Sequence, residues 1–131
     1  MRTQAVNALG MIGEVSTVPA LKELAADGEW WVRLNACKAL ANMGPEGEKA
    51  LLELLLSEDR YARDRAAATL ESRGVTRRMV RRLAAPGRKG ERARTIIGAL
   101  IESGTTKYLR GLAQTLPEGE ERGILRGMLE I

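Results

Sequence analysis

The sequence predicts an all-α fold of the α-solenoid type (an α–α superhelix), in which short helical hairpins stack on one another. Three observations support this prediction. Glycines recur about every 30 residues, Leu and Ala recur at helical spacing between them, and the 131-residue chain contains no Phe. We therefore expect an aliphatic core built in repeated pieces, each too small to bury its apolar face alone.

The first helix of each repeat is predicted from segments that end at a glycine. The terminal glycines Gly13, Gly44, Gly74 and Gly104 lie 31, 30 and 30 residues apart. The four segments are RTQAVNALGMIG (2–13), VRLNACKALANMG (32–44), ARDRAAATLESRG (62–74) and RARTIIGALIESG (92–104). Small or apolar residues recur in them at matching offsets, as in Ala5, Ala36, Ala66 and Ile96, and in Leu9, Leu40, Leu70 and Leu100. Each segment indicates an amphipathic helix closed by a left-handed glycine.

The second helix of each repeat follows that glycine. The runs VPALKELA, EKALLELL, RRMVRRLA and TKYLRGLA align on Leu21, Leu51, Val80 and Leu109. Their apolar residues form one helical stripe. The C-terminal PEGEERGILRGMLEI predicts one more helix, with acids in its first turn where the helix dipole favours them. We predict a single domain over 1–131, with units at 1–27, 28–57, 58–86 and 87–116 and a terminal helix at 117–131.

These units resemble HEAT repeats, most closely the bacterial variety named after phycobilisome-lyase proteins. The resemblance rests on the V-R-x-x-A-x-x-A-L-x-x-x-G run at 32–44 and the V-P-A-L run at 18–21, and it covers nearly the whole chain. It implies a right-handed superhelix whose first helices line a concave surface, while second helices form an outer ridge that exposes Leu52. It also implies a ladder between units, made here by Arg33 with Asp27 and by Arg63 with Asp59; the fourth unit has neither partner.

Composition excludes several kinds of chemistry. The chain has no His, which removes Ser–His and Cys–His catalysis and most zinc sites. The single Cys37 lies among small apolar residues, so we expect a buried, inert thiol. No stretch approaches the roughly 18 apolar residues that span a bilayer. We predict a cytoplasmic protein that is not an enzyme and binds no cofactor or metal, although a longer parent chain could be membrane-anchored.

The predicted concave surface carries the candidate partner-binding residues. Aromatic side chains dominate interface energetics when packing does not use them, and three of them stand at predicted helix starts. Packing at the repeat boundary is the alternative role, because Trp31 and Tyr61 occupy the same repeat position. The candidate set is Trp30, Trp31, Asn35, Lys38, Asn42, Tyr61 and Arg65.

A basic segment, TRRMVRRLAAPGRKGERAR at 76–94, holds eight Arg or Lys and one acid, Glu91. On a helix its first four arginines would project opposite Met79 and Val80, and such a row suits carboxylates or phosphates. The candidate basic patch is Arg77, Arg78, Arg81, Arg82, Arg88 and Lys89. Solvated surface, an acidic protein partner, nucleic acid and an anionic membrane stay open as interpretations. Nucleic acid is disfavoured because 62–107 contains no aromatic ring on which bases could stack.

These patterns favour a non-catalytic protein–protein interaction scaffold that uses the concave face. Two alternatives stay open: an accessory or regulatory domain of a larger enzyme or membrane-associated complex, and nucleic-acid binding through the arginine-rich ridge. Residue 2 already lies inside a predicted helix with no capping side chain before it. We therefore expect the chain to be a fragment, whose partner is another protein or another domain of its parent chain.

Overall fold

The computed structural model describes residues 15–131, and every regular element among them is helical. After a 3₁₀ turn at Val15–Thr17, the helices are α1 (Val18–Leu24), α2 (Trp30–Ala41), α3 (Gly44–Leu55), α4 (Arg60–Ser72), α5 (Val75–Arg81), α6 (Gly87–Glu102), α7 (Lys107–Thr115) and α8 (Glu120–Leu129). The predicted all-α class is thereby confirmed. The predictions for 1–14, including the first helix and Gly13, lie outside the described residues.

Glycines end the first helices of the repeats as predicted. Shortly after α2, α4 and α6 end, Gly44, Gly74 and Gly104 adopt φ values of 63°, 78° and 81°. A Cβ crowds the backbone in this left-handed region at a cost of about 1–2 kcal/mol, whereas glycine adopts it freely. The repeat period of the sequence is therefore the spacing of these helix ends.

Helix starts also have local causes. Pro19 and Pro45 occupy the first turns of α1 and α3, where a proline sacrifices no helical hydrogen bond. Asp59 precedes α4, and its Oδ1 accepts a hydrogen bond from the backbone N–H of Ala62 at 2.9 Å. This carboxylate therefore caps its own helix.

The chain divides into two compact units, Met1–Arg73 and Gly74–Ile131. In the described part of the first unit, consecutive helices pack together, and so do helices two apart: α1 with α3, and α2 with α4. Such contacts define two layers of stacked hairpins. The aligned positions of both layers form the core, at Leu21, Leu40, Leu51 and Leu70. Leu52, expected on an outer ridge, is also buried, so that expectation was wrong.

Two polar contacts join neighbouring repeats in the first unit. The Lys22 ammonium pairs with the Glu53 carboxylate between α1 and α3. In the other layer, Arg73 Nη2 donates to Asn42 Oδ1 at 2.7 Å. The members of each pair lie 31 residues apart, which is one repeat. Exposed pairs of this kind contribute about 0–1 kcal/mol each, so they adjust the stacking more than they stabilise it.

In the second unit, α5 packs against α6, and α7 packs against α8. Helix α8 also contacts α5 and α6, and it buries Leu125 and Leu129 there. The predicted terminal helix therefore exists at 120–129 and belongs to the core of this unit. The single-domain organisation with its four unit boundaries stays a prediction, and the division after Arg73 falls inside the predicted unit 58–86. Across 15–131, no helix is both long and apolar enough to cross a membrane.

The start of α6 fits closely against the segment before it. Gly90, the fourth residue of this helix, is buried, and a Cβ there would lie 1.8 Å from the Ala85 carbonyl oxygen. Backbone atoms cannot move aside as a side-chain end can. Only glycine therefore fits at this position.

We expect Gly90→Ala to lower the free energy of unfolding by about 1–3 kcal/mol, the cost of overpacking a close contact. Gly111→Ala is the matched control, because Gly111 is exposed within α7 with open space around it. That change should raise stability by about 0.5–1 kcal/mol through helix propensity. Urea unfolding followed by circular dichroism measures both, and a stabilising effect at both glycines would contradict the close fit.

Candidate interaction surfaces

Four large apolar side chains of the first unit are exposed where the chain leads into α2 and α4. Trp30 and Trp31 begin α2 and are 61% and 42% exposed, while Tyr61, the second residue of α4, is 64% exposed. Leu56, directly after α3, is 54% exposed. We call these four residues the apolar edge. Single exposed apolar side chains are ordinary, but a group of them at neighbouring helix starts indicates a contact surface.

Each aromatic ring of the apolar edge makes a ring contact. The Trp30 and Trp31 rings meet edge to face, with centroids 5.9 Å apart and an interplanar angle of 84°. The guanidinium carbon of Arg33 lies 4.7 Å from the centroid of the Tyr61 ring, a cation–π contact between α2 and α4. Packing at the repeat boundary thus orients the rings without burying them. Much of their surface stays open to a partner.

A polar stripe continues from the apolar edge along α2. Asn35, Lys38 and Asn42 follow Trp31 at i+4, i+7 and i+11, which places all four on one side of the helix. Arg65 occupies the position of Asn35 in the next repeat, on α4. Lys38 and Asn42 are exposed, and Asn35 and Arg65 are half-buried. Six of the seven predicted partner-binding residues therefore lie on the neighbouring helices α2 and α4, and the seventh, Asn42, directly follows the end of α2.

The repeat arginine ties down the loop before its own helix. Arg33 Nη1 donates to the Asp27 carbonyl oxygen at 2.8 Å. Arg63 Nη1 donates to the Ser57 and Glu58 carbonyl oxygens at 3.3 and 3.4 Å. The expected pairing of Arg63 with Asp59 is replaced by these backbone contacts, since the Asp59 carboxylate caps α4. Arg33 thus fixes the loop just before Trp30, and Arg63 fixes the loop between Leu56 and Tyr61.

An arginine also contacts the segment before α6. Ala93 stands at the position aligned with Arg33 and Arg63, and it is buried. The next residue, Arg94, donates a hydrogen bond from Nη1 to the Leu83 carbonyl oxygen at 2.9 Å. The aligned position therefore carries no arginine, as expected, but the adjacent Arg94 contacts the segment that precedes its helix.

The basic patch divides between two helices and the turn between them. Arg77, Arg78 and Arg81 are exposed on α5, whose other side buries Met79 and Val80. Arg82 lies beyond the end of α5 and is half-buried, so the predicted row contains three arginines and not four. The remaining predicted members, Arg88 and Lys89, are exposed in the first turn of α6.

Arg77 and Arg81 also border a cleft of about 320 Å³ within the second unit. Its other walls come from the end of α7 and the start of α8, including Leu112, Leu116 and Glu121. Sequence reasoning found the two arginines but not the cleft. The walls of the cleft meet through the contact of α8 with α5, and the repeat pattern of the sequence does not predict that contact.

Cys37 lies beneath the polar stripe, between α2 and α4, and is fully buried. Burial raises the pKa of its thiol from the ordinary 9.0 to about 11, although the Arg65 charge and a hydrogen bond with Thr69 oppose the rise. The thiol stays protonated near neutral pH and is a poor nucleophile. Across the described residues, no group of three or more Cys, Asp or Glu side chains could hold a metal ion.

A comparison with protein families finds one match in keeping with this geometry. The family model described as HEAT repeats matches residues 1–73, more than half of the chain. The chain belongs to the HEAT-repeat family. The matched segment ends at the same residue as the first compact unit. No curated protein matches the sequence. HEAT repeats generally serve as protein-interaction scaffolds and are typically non-catalytic.

The contact between Arg94 and the segment before α6 can be tested by Arg94→Gln. Removing the guanidinium leaves the Leu83 carbonyl without this donor, and we expect a loss of about 0.5–1.5 kcal/mol in unfolding free energy. Arg92→Gln removes the same charge from an exposed site on the same helix and should stay within about 0.5 kcal/mol of wild type. Equal effects of the two changes in urea unfolding would refute the role of Arg94.

The thiol of this HEAT-repeat protein should make its stability depend on alkaline pH. Because the folded pKa is raised, the protonated thiol contributes stability below pH 9, and this contribution is lost as the pH rises toward 11. We expect wild type to lose stability more steeply than Cys37→Ala across that range. Denaturant unfolding of both proteins at a series of pH values measures the difference, in which the contributions of all other groups cancel. Parallel curves would show that the thiol is not perturbed by burial.

Proposed function

We propose that the chain is a non-catalytic scaffold that binds a partner protein through the layer formed by α2 and α4. Its membership of the HEAT-repeat family supports the scaffold role. The buried, protonated Cys37 and the absence of His from the sequence support a role without chemistry. The observation that carries the proposal is the apolar edge, because exposed Trp and Tyr side chains are the ones that most often dominate binding energy.

The polar stripe gives this surface the composition of an interface. In protein interfaces aromatic side chains act as anchors. The polar residues around them exclude water from the anchors and supply hydrogen bonds. Trp30, Trp31 and Tyr61 are the anchors, and Lys38 and Asn35 stand along the same side of α2. Under the HEAT resemblance this layer is the concave face. A partner segment would lie along it, with its apolar side chains against the edge.

We further propose that the repeats are of the bacterial phycobilisome-lyase type and that the protein acts in the cytoplasm. The V-P-A-L run at 18–21 and the arginine that follows Val32 support the repeat type. The cytoplasmic location is supported by the single, buried cysteine, which offers no disulfide within the chain.

Photocrosslinking tests the surface. With p-benzoylphenylalanine in place of Tyr61, irradiation in lysate of the native host should give discrete protein adducts. The same probe in place of Lys49, exposed on α3, should not give them. Adding Trp31→Ala should weaken the Tyr61 adducts strongly, since losing an interface anchor costs about 2 kcal/mol or more, roughly thirtyfold in affinity.

Folding must be shown to survive in these variants. Trp31 is 42% exposed, so its truncation also removes some packing, and the thermal unfolding of each variant is compared with wild type. Adducts that form equally from both probe positions, or that persist unchanged with Trp31→Ala in a folded protein, would rule out this layer as the binding surface.

A further inference from the structure

The second unit contains a recess that the scaffold proposal does not use. Its basic wall is formed by Arg77 and Arg81, which lie four residues apart on the exposed side of α5. Its apolar floor is formed by Leu112, Leu116 and Pro117 at the end of α7 and beyond. Glu121, in the first turn of α8, completes it. We call this recess the basic cleft.

The charged groups that line the basic cleft have no partner among residues 15–131. Within the described part of the chain, Arg77, Arg81 and Glu121 make no side-chain hydrogen bond or ion pair, although all three border the same space. Guanidinium groups form their strongest contacts with carboxylates and phosphates, often through two parallel hydrogen bonds. The cleft therefore presents two anion-binding groups beside an apolar surface and one acceptor.

The field around the cleft favours an acidic ligand. Residues 74–131 carry 12 basic and six acidic side chains, a balance of +6. Such an excess raises the local concentration of acidic partners and their association rate. The cavity of about 320 Å³ has room for one or two side chains and is not a long channel.

We propose that the basic cleft binds an acidic peptide segment that carries a large aliphatic side chain between its acids. Carboxylates of the segment pair with Arg77 and Arg81, and the aliphatic side chain rests on Leu112, Leu116 and Pro117. Glu121 accepts a hydrogen bond from a backbone N–H of the peptide. A polyphosphate chain has no such donor and is repelled by Glu121.

Other polyanions match the basic cleft less well. Single-stranded nucleic acid gains affinity by stacking bases on aromatic rings, and no aromatic side chain lines this cleft. A membrane presents a broad plane of headgroups, whereas the paired arginines here flank a recess with an apolar floor. The peptide uses every wall of the cleft.

A defined probe tests the proposal with the full chain. Fluorescence anisotropy is measured with fluorescein-labelled EDELLEDE and with EDEGGEDE, which has the same charge but no aliphatic side chain. EDELLEDE should bind, and EDEGGEDE should bind about tenfold more weakly, as the burial of Leu side chains requires. The double variant Arg77→Gln with Arg81→Gln should weaken EDELLEDE by about tenfold or more, because charge-assisted hydrogen bonds are lost.

A charge-matched control separates the cleft from diffuse attraction. Arg88→Gln with Lys89→Gln also removes two positive charges, from exposed positions that do not line the cleft. It should weaken binding by about threefold or less, since distant exposed charges are screened by salt. Leu116→Ser should weaken EDELLEDE while leaving EDEGGEDE unchanged. Circular dichroism confirms that each variant is folded.

Several results would overturn the proposal. These are no binding of EDELLEDE, equal binding of the two peptides, or equal losses in the two double variants. Tighter binding of a DNA duplex or of phosphatidylserine vesicles, with the same dependence on Arg77 and Arg81, would show that the basic cleft binds phosphate groups. None of these results bears on the apolar edge, which belongs to the first unit.

Discussion

Helices of seven to sixteen residues are marginal in water by themselves, and each helix between residues 15 and 131 buries apolar side chains against its neighbours. In the first unit, α1 packs on α3 and α2 packs on α4, and contacts between consecutive helices join the two layers. A fully buried Leu side chain contributes about 1.5–3 kcal/mol, while an exposed ion pair such as Lys22 with Glu53 contributes about 0–1 kcal/mol. Aliphatic burial between neighbouring repeats therefore holds the fold, and the polar contacts refine it.

The same constraint decides where the large aromatic side chains can lie. Helices α2 and α4 pack on each other, and both bury small residues, among them Ala36, Ala66 and Ala67. An indole ring does not fit between helices packed on alanine. Trp30, Trp31 and Tyr61 accordingly stand at helix starts, where the layer ends. The proposed binding surface lies at that edge.

Repeat reasoning predicts this chain well where one local rule controls the outcome. Glycine readily adopts the positive φ that closes a helix, and Gly44, Gly74 and Gly104 do so shortly after α2, α4 and α6 end. Leu21 and Leu51 are buried as aligned, because helical periodicity and hydrophobicity agree there.

Prediction was weaker where two local rules compete for one side chain. Asp59 could pair with an arginine or cap α4, and its carboxylate accepts the hydrogen bond of the Ala62 N–H at 2.9 Å. Helical spacing predicted that Arg82 continues the row of arginines on α5, but the helix ends at Arg81. The basic cleft could not be predicted at all, because its walls meet only through the contact of α8 with α5.

The two compact units also differ in the forces available to them. Residues 1–73 carry nine basic and eleven acidic side chains, a balance of −2, against +6 in the remainder. Binding at the apolar edge depends mainly on the burial of ring surface, which added salt does not screen and some salts strengthen. Binding at the basic cleft depends on guanidinium contacts in a strongly positive field, which salt weakens over a distance of about 8–10 Å at ordinary ionic strength. A single protein that engaged both surfaces would lose its cleft contacts first as the salt concentration rises. Ionic strength thus separates the two modes of recognition without any substitution in the chain.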